Sequence, residues 1–235
     1  MAKKLEHAMI HACVDVDDDL ELAKSIARMA VECGVDVIES GTPLLYSCGY
    51  ESLRELKKIA GDDHPLVADY KAQDGTYFMF NSARKNGADW ATVSVVCNDG
   101  GTIAAVRSGK ETGIKVIGDL FAVPVPELAK RAREVEALGV DMVLIHYGAD
   151  ELREHICPGR NEYDGVQEVA DAVKIPVAVV CDSNETAAEA IRRGADWILF
   201  SRCIRQAEPE NYEKCRSFVQ AIREADREYN AQHRG

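Results

Sequence analysis

The sequence predicts a single (β/α)8 TIM barrel, and three observations support this prediction. The 235 residues, of which 46% are hydrophobic, suit one large globular domain, because α/β barrels commonly reach this length. Short apolar runs alternate with amphipathic segments along nearly the whole chain, which is typical of repeated βα units. A Gly-x-Asp tripeptide recurs at positions 34, 87, 139 and 194, a spacing of about two βα units.

Eight short apolar runs are the strand candidates. In chain order they are Met9–Val14, Val35–Glu39, Pro65–Ala68, Trp90–Val96, Ile114–Leu120, Met142–His146, Pro176–Val180 and Trp197–Ser201. Between them lie segments with the 3.6-residue spacing of helices that pack one face against a sheet. Examples of these segments are Leu20–Cys33, Ser52–Ile59, Val125–Leu138 and Ala187–Arg193.

The Gly-x-Asp repeat favours a closed barrel over other parallel sheets. Each glycine is expected to end a helix in a left-handed conformation just before the next strand. Four doubled βα units give eight parallel strands, the number that closes into a barrel. A doubly wound open sheet is the alternative, but it would normally have a glycine-rich phosphate turn where this chain has Val14-Asp15-Val16-Asp17. We expect the barrel to span residues 1–230, ending in a charged helix at Glu208–Asn230, with 231–235 as a frayed tail.

The composition excludes several classes of function. A net charge of -12 argues against a nucleic-acid-binding surface and against docking on anionic lipid, because both need clustered Lys and Arg. The eight cysteines include no Cys-x-x-Cys, which suits a reducing cytoplasm. The amino terminus lacks the apolar region of a signal peptide, and no run approaches the length of a membrane span. We therefore expect a cytoplasmic enzyme or binding protein.

Ionisable residues lie at the carboxyl ends of most predicted strands, where barrel enzymes have their active sites. They are Asp15, Glu39, Asp69, Lys71, Asp119, His146 and Arg202, the last preceded by Ser201. Charges at the end of a buried strand must pair with one another, with a metal or with a substrate. Asp69 and Lys71, two residues apart on an extended chain, would project together, with Asp74 in the loop or helical turn that follows. A solvated ion pair is the alternative interpretation.

Two carboxylates on neighbouring strands, Glu39 and Asp69, could share one Mg²⁺ ion. With no cysteine or histidine expected beside them, they favour a hard cation over zinc. A salt bridge between Glu39 and Lys71 is an alternative that is compatible with metal binding. His146 is expected to shuttle protons, although a structural role is the alternative. No role is predicted for His7, His11, His64, His155 and His233.

The motif Asp69-x-Lys71-x-x-Asp74, preceded by Ile38-Glu39-Ser40-Gly41-Thr42-Pro43, resembles the paired signatures of the orotidine-monophosphate-decarboxylase suprafamily. The resemblance is to its branch of 3-hexulose-6-phosphate synthases and 3-keto-L-gulonate-6-phosphate decarboxylases. It extends over nearly the whole chain, from Asp15 through 88–93 and 118–120 to His146 and Arg202.

This resemblance implies a (β/α)8 homodimer with active sites at the subunit interface, where Asp74 reaches into the partner's site. It implies that Glu39 and Asp69 bind Mg²⁺ and that Lys71 stabilises a 1,2-enediolate. His146 and Asp119 would move or orient protons, and we place Asp15 in the same catalytic set.

The leading reaction is hexulose-phosphate synthesis from formaldehyde and ribulose 5-phosphate by an aldehyde-lyase. The decarboxylase of the branch has an Arg three residues after its His, where this chain has Ala149. Orotidine-monophosphate decarboxylase itself is metal-free and has a different residue at the position of Glu39, so Glu39 argues against that activity. A carboxy-lyase that uses the same intermediate is the alternative enzyme.

The phosphate end of the expected site departs from the resemblance. Family members hold the phosphate with glycines, which allow close backbone approach, where this chain has Val180, Cys181 and Ser201. Either Ser183, Ser201 and Arg202 bind the phosphate in another way, or the ligand is not phosphorylated. An acidic Asp182 beside a phosphate would be repulsive. A barrel that binds a metabolite without turnover also stays open.

Overall fold

The computed structural model describes residues 3–96 and 98–233 and forms a closed barrel of parallel strands in the order of the sequence. The strands are β1 Met9–Val14, β2 Val37–Ser40, β3 Leu66–Ala72, β4 Trp90–Ser94, β5 Lys115–Asp119, β6 Met142–Ile145, β7 Val177–Val180 and β8 Trp197–Phe200. Because β8 pairs with β1, no strand of this sheet has a free edge. The predicted (β/α)8 architecture is confirmed.

Helices follow the strands around the outside of the barrel. They are α1 Leu20–Glu32, α2 Thr42–Cys48, α3 Tyr50–Ala60, α4 Thr76–Lys85, α5 Asp99–Thr112, α6 Leu128–Leu138, α7 Ala149–Arg153, α8 Val166–Ala172, α9 Asn184–Arg192 and α10 Pro209–His233, with 3-10 turns at Val125–Glu127 and Arg202–Ile204. Within the described ranges, no helix combines the length and apolar character that a membrane crossing needs.

The last helix corrects one predicted boundary. The segment 231–235 is predicted to be a frayed tail, but α10 continues to His233. Residues 234–235 lie outside the described part of the chain. Tyr229 is buried in this last turn region, and the His233 ring stacks on it with ring centroids 4.2 Å apart, so packing extends the helix beyond the predicted end.

Each Gly-x-Asp repeat fastens a pair of strands at the amino-terminal end of the barrel. The four glycines have positive φ angles, from +88° at Gly34 to +104° at Gly139, as predicted for left-handed helix stops. Each aspartate accepts a hydrogen bond from the backbone N–H of a residue on the preceding strand. The pairs are Asp36 with Ile10 at 2.7 Å, Asp89 with Leu66 at 3.0 Å, Asp141 with Val116 at 2.9 Å and Asp196 with Val177 at 3.1 Å. The repeat is therefore structural.

The third strand is longer than predicted, and this changes the position of the Asp69-x-Lys71-x-x-Asp74 motif relative to the strand. It ends at Ala72 and not at Ala68, so Asp69 and Lys71 lie inside the strand. The register with β4 shifts between Ala68 and Ala72, and Lys71 has a φ of +45°. Such a bulge re-aims side chains at a strand end. The other strands differ from the predicted ranges by only one or two residues at an end.

Candidate active site

Side chains from several strands converge at the carboxyl end of the barrel, which we call the mouth. Glu39 on β2, Asp69 on β3 and Asp119 on β5 are all buried. Lys71 on β3 and His146, directly after β6, are partly buried beside them. The structure thus brings together the ionisable residues that strand order predicts at one mouth.

Asp69 and Lys71 form an ion pair that two threonines complete. Thr42 Oγ1 lies 2.7 Å from Asp69 Oδ2 and 2.8 Å from Lys71 Nζ, and Thr92 Oγ1 donates to Asp69 Oδ1 at 2.7 Å. Among the ion pairs of the described residues, Lys71 is joined to Asp69 and not to Glu39, so the alternative Glu39 salt bridge is wrong.

The ion pair keeps both groups charged. Burial alone would favour the neutral carboxyl, but the Lys71 ammonium and the hydrogen bonds from Thr42 and Thr92 lower the pKa of Asp69 to about 2. Burial likewise opposes the charged ammonium, yet the negative charges of Asp69, Asp119 and Glu39 raise the pKa of Lys71. A fixed cation therefore stands at the mouth at neutral pH.

His146 and Asp119 form a second pair of ionisable groups. His146 Nδ1 lies 3.1 Å from Asp119 Oδ2, and Asp119 Oδ1 accepts the Phe121 N–H at 2.9 Å. Burial disfavours the imidazolium, but the charge of Asp119 and its hydrogen bond raise the pKa of His146. A carboxylate that fixes one ring nitrogen leaves the other available for proton transfer.

Asp15 lies close to these carboxylates. Burial first, and then the negative charges of Glu39 and Asp69, raise the pKa of Asp15 to about 7, against a hydrogen bond from Ser201 that lowers it. Gly41 makes room for this side chain, because a Cβ at that position would overlap Asp15 Oδ1. The mouth therefore holds more negative charge than its cations neutralise.

Glu39 has neighbours that the sequence interpretation did not assign to it. His11 Nε2 lies 3.2 Å from Glu39 Oε2, and Cys13 lies directly opposite Glu39 in the β1–β2 register. The expectation that no cysteine or histidine lies beside the carboxylates is wrong. The alternation of β1 carries the missed signal, because His11, Cys13 and Asp15 are two residues apart and share one face.

The predicted phosphate end contains an internal anion. Asp182 Oδ2 pairs with Arg202 Nε at 3.0 Å, and Asp182 Oδ1 accepts the backbone N–H groups of Ser201 at 3.3 Å and Arg202 at 3.1 Å. Ser183 caps α9, where its Oγ accepts the Thr186 N–H at 3.1 Å. The donors that would meet a phosphate are therefore already hydrogen-bonded to a carboxylate.

Asp74 does not join the buried cluster. It is exposed in the turn between β3 and α4, and within the described residues no hydrogen bond or ion pair connects it with the mouth. Besides the His11 and Cys13 neighbours of Glu39, sequence reasoning missed Thr42 and Thr92 as site residues. Thr92 follows the inward-facing Trp90 by two residues, so strand alternation could have identified it.

The chain is similar to several known proteins over most of its length. A 3-hexulose-6-phosphate synthase of Bacillus subtilis (strain 168) is 28% identical over 196 residues, which are 83% of this chain and 88% of the relative. A solved 3-hexulose-6-phosphate synthase from Salmonella typhimurium is 25% identical with a TM-score of 0.80, covering 92% of this chain and 99% of that one.

A more distant structure shares the fold. It is a 3-keto-L-gulonate-6-phosphate decarboxylase from Vibrio cholerae, which is 21% identical with a TM-score of 0.75. The match covers 92% of this chain and 97% of that one. The model of the family described as Orotidine 5'-phosphate decarboxylase / HUMPS matches residues 11–217. This match covers most of the barrel, from β1 into α10, together with the mouth residues. The chain belongs to the Orotidine 5'-phosphate decarboxylase / HUMPS family.

Proposed function

We propose that this protein is a lyase that makes or breaks a carbon–carbon bond beside the carbonyl of a sugar phosphate, most like a 3-hexulose-6-phosphate synthase. One observation carries the proposal: a partly buried cation, Lys71, held by Asp69, stands at the same mouth as the His146–Asp119 pair. Such a site combines stabilisation of an oxyanion with proton transfer. The names of the relatives support the same class.

The residues divide the chemistry between them. When a proton leaves the carbon beside the ketone of ribulose 5-phosphate, negative charge develops on oxygen, and Lys71 neutralises it. The carbon then attacks formaldehyde, and the new alkoxide takes up a proton. His146, positioned by Asp119, is the proposed proton carrier for both transfers. A carboxy-lyase would use the same enediolate but would form it by loss of carbon dioxide.

A divalent metal fits the donor set of the mouth. Glu39 and Asp69 would hold Mg²⁺, because each carboxylate has lone pairs left after its contacts and the described mouth residues include more carboxylates than cations. When bound, the ion would supply Lewis-acid stabilisation of negative charge on the substrate oxygens.

The proposal includes a homodimer in which Asp74 completes the partner's site. Asp74 is exposed, and large apolar side chains near it are also open to solvent: Phe78 on α4 is 73% exposed and Tyr46 on α2 is 72% exposed. Tyr46 lies beside β3, because its hydroxyl donates to the Tyr70 carbonyl at 3.5 Å. Exposed aromatic side chains around a loop acid support an interface there.

The internal anion at the end of β7 favours a second candidate function, the same chemistry on an unphosphorylated ligand. Barrel enzymes often hold a phosphate at the loops after strands seven and eight. Here Asp182 accepts the N–H groups of Ser201 and Arg202, and its charge would repel a phosphate. A sugar phosphate would bind only if Arg202 left Asp182.

A pair of substrates separates the two candidates. Formaldehyde-dependent turnover is measured with ribulose 5-phosphate and with ribulose, each with Mg²⁺ present. Turnover of the phosphate ester alone supports the first candidate, whereas equal turnover of ribulose supports the second. Ligand-dependent thermal stabilisation without turnover of either sugar would contradict both and indicate a metabolite-binding protein.

Arg202 gives a matched mutational test. If the substrate is a phosphate ester, Arg202→Ala should raise its KM roughly 10–100-fold, because one charge-assisted contact is lost, and should leave ribulose unaffected. Asp182→Asn should lower the KM of the phosphate ester, since it removes the competing charge but keeps an acceptor oxygen. If Arg202→Ala leaves the KM of every substrate unchanged, the sugar-phosphate proposal fails.

A further inference from the structure

Three buried side chains from β1 and β2 meet at the base of the mouth. His11 and Cys13 are two residues apart on β1 and share its inner face. Glu39 on β2 lies opposite Cys13 in the parallel register. One ligand atom from each of the three, a ring nitrogen, a thiol sulfur and a carboxylate oxygen, lies within 4.8 Å of the others.

The His11 ring is fully buried without a hydrogen bond. Neither Nδ1 nor Nε2 has a hydrogen-bond partner within the described part of the chain. Leaving a buried polar group unpaired costs about 1–3 kcal/mol, so such groups normally have a partner. Nε2 lies 3.2 Å from Glu39 Oε2, but the geometry is not that of a hydrogen bond.

The separation of these two atoms, 3.2 Å, is close to that of two ligands of one ion. Zinc bonds of about 2.0–2.3 Å at tetrahedral angles place neighbouring ligand atoms about 3.3–3.8 Å apart. The donor set also points to a particular class of metal. Imidazole and thiolate bind borderline transition metals such as Zn²⁺ and Co²⁺, whereas Mg²⁺ prefers oxygen ligands and water.

We propose that His11, Cys13 and Glu39 form a binding site for a divalent transition metal of the zinc type at the base of the barrel mouth. Three protein ligands leave one tetrahedral position open, as in sites where the metal meets a small molecule. Cys13 and Glu39 retain 7% and 3% exposure, so the site borders the solvent side of the mouth. This site shares Glu39 with the proposed Mg²⁺ ligands Glu39 and Asp69. The proposal of a transition-metal site does not depend on the lyase activity.

Cobalt provides a readout that is independent of catalysis. The full-length protein is stripped of metal with a chelator and titrated with Co²⁺, and absorption is recorded in the visible and near-ultraviolet. We expect one Co²⁺ per chain, with d–d bands of a low-coordinate ion and a thiolate-to-cobalt charge-transfer band. Zn²⁺ should then displace Co²⁺ at a ratio of one to one, because zinc binds such sites more tightly.

Two variants and one control assign the ligands. Cys13→Ser should abolish the charge-transfer band, and His11→Gln should weaken Co²⁺ binding by at least about 10–100-fold, the loss that even outer-shell partners of a metal cause. Cys215→Ser, at another buried free cysteine in α10, should leave both readouts unchanged. Circular dichroism of the metal-free variants checks their folding, and His11→Gln serves if Cys13→Ser does not fold.

Two results would overturn the proposal. One is a wild-type protein that takes up no stoichiometric Co²⁺ or Zn²⁺. The other is a charge-transfer band that survives in folded Cys13→Ser, since another thiol would then be the ligand. Neither result affects the lyase proposal, which is tested by turnover with Mg²⁺, and a protein without lyase activity could still bind Co²⁺ as expected here.

Discussion

Lys71 owes its position in the mouth to an unusual backbone conformation. Its φ of +45° lies in the left-handed region, which a residue with a side chain rarely adopts and which costs about 1–3 kcal/mol. The surrounding contacts hold it there: its N–H donates to Thr92 Oγ1 at 2.8 Å, and its ammonium meets Asp69 and Thr42. Strain of this kind concentrates at functional sites, which agrees with a catalytic role for the ammonium.

The first prediction concerns the proposed Mg²⁺ ligands. Glu39→Gln removes one of two carboxylate charges from the proposed site, so the dissociation constant for Mg²⁺ should rise at least about tenfold, measured by isothermal titration calorimetry. Glu189→Gln is the control, because that carboxylate pairs with Arg193 on the surface and should not affect Mg²⁺. If Glu39→Gln binds Mg²⁺ as tightly as the parent protein, the assignment of Glu39 is wrong.

The second prediction concerns the pKa of His146. Asp119 and Asp69 raise this pKa, while burial and the Lys71 charge lower it. Asp119→Asn should therefore lower the pKa of His146, which an NMR titration of the imidazole measures directly. Asn keeps an acceptor oxygen for the Phe121 N–H, so the loop should persist. A pKa of His146 that does not change in Asp119→Asn would show that Asp119 does not control its proton.

The same pair predicts a dependence of stability on pH. Because the folded pKa of His146 is raised, its stabilising effect is complete below the unfolded pKa of about 6.5 and is lost as the pH rises through the folded pKa. Asp119→Asn should thus lower the free energy of unfolding by about 1–3 kcal/mol at acidic pH and by less at alkaline pH. Urea unfolding at several pH values measures this difference.

The residues that could be predicted from the sequence are the ones whose charge stands out in an apolar run. Asp69, Lys71 and His146 end such runs, so strand order alone places them at the mouth. Neutral partners such as Thr42 give no such signal, because a hydroxyl near a helix start is common in any protein. His11 was overlooked because it lies within β1 and not at its end, where only the alternation of inward positions reveals it.

At the scale of the elements, the aspartates of the four Gly-x-Asp repeats show why the repeat could be predicted but its structural role could not. A sequence period reveals a repeated βα unit, whereas the hydrogen bond that each aspartate accepts from a neighbouring strand requires the closed sheet. The limits of β3 have a similar cause. Because Asp69 and Lys71 are charged, the sequence predicts that β3 ends before them, but their mutual pairing allows β3 to continue through them to Ala72.

The fourth prediction tests the hydrogen bonds that these aspartates accept. Asp196 is fully buried and accepts N–H groups from Lys4 at 2.5 Å, Leu5 at 2.8 Å and Val177 at 3.1 Å. Asp196→Ala leaves these donors unpaired, so the free energy of unfolding should fall by at least about 1–3 kcal/mol. Asp141→Ala, at the same position of a more exposed repeat, should have a smaller effect, because water can replace the carboxylate. Equal losses in the two variants would contradict this account of burial.

At the scale of the whole molecule, barrel closure concentrates acids at the mouth without supplying enough positive charge. Among the described residues, Asp15, Glu39, Asp69 and Asp119 lie near the cation Lys71 and the titratable His146. We therefore expect a metal, a cationic substrate group or a partner chain to compensate this charge. The exposed Phe78 and the neighbouring Asp74 lie where a second copy of the chain could contribute.

The last prediction tests whether active sites are shared between two chains. Asp74→Asn and Lys71→Ala chains should each be inactive alone, because every site then lacks one required group. In a mixed dimer, one of the two sites receives Lys71 from the first chain and Asp74 from the second. Random exchange should thus restore about a quarter of the parent activity, since half of the dimers would each have one intact site. A mixture of Asp69→Asn and Lys71→Ala chains should stay inactive, because these residues pair within one chain. No recovery in the first mixture, with subunit exchange shown by mass spectrometry, would place Asp74 outside the shared site.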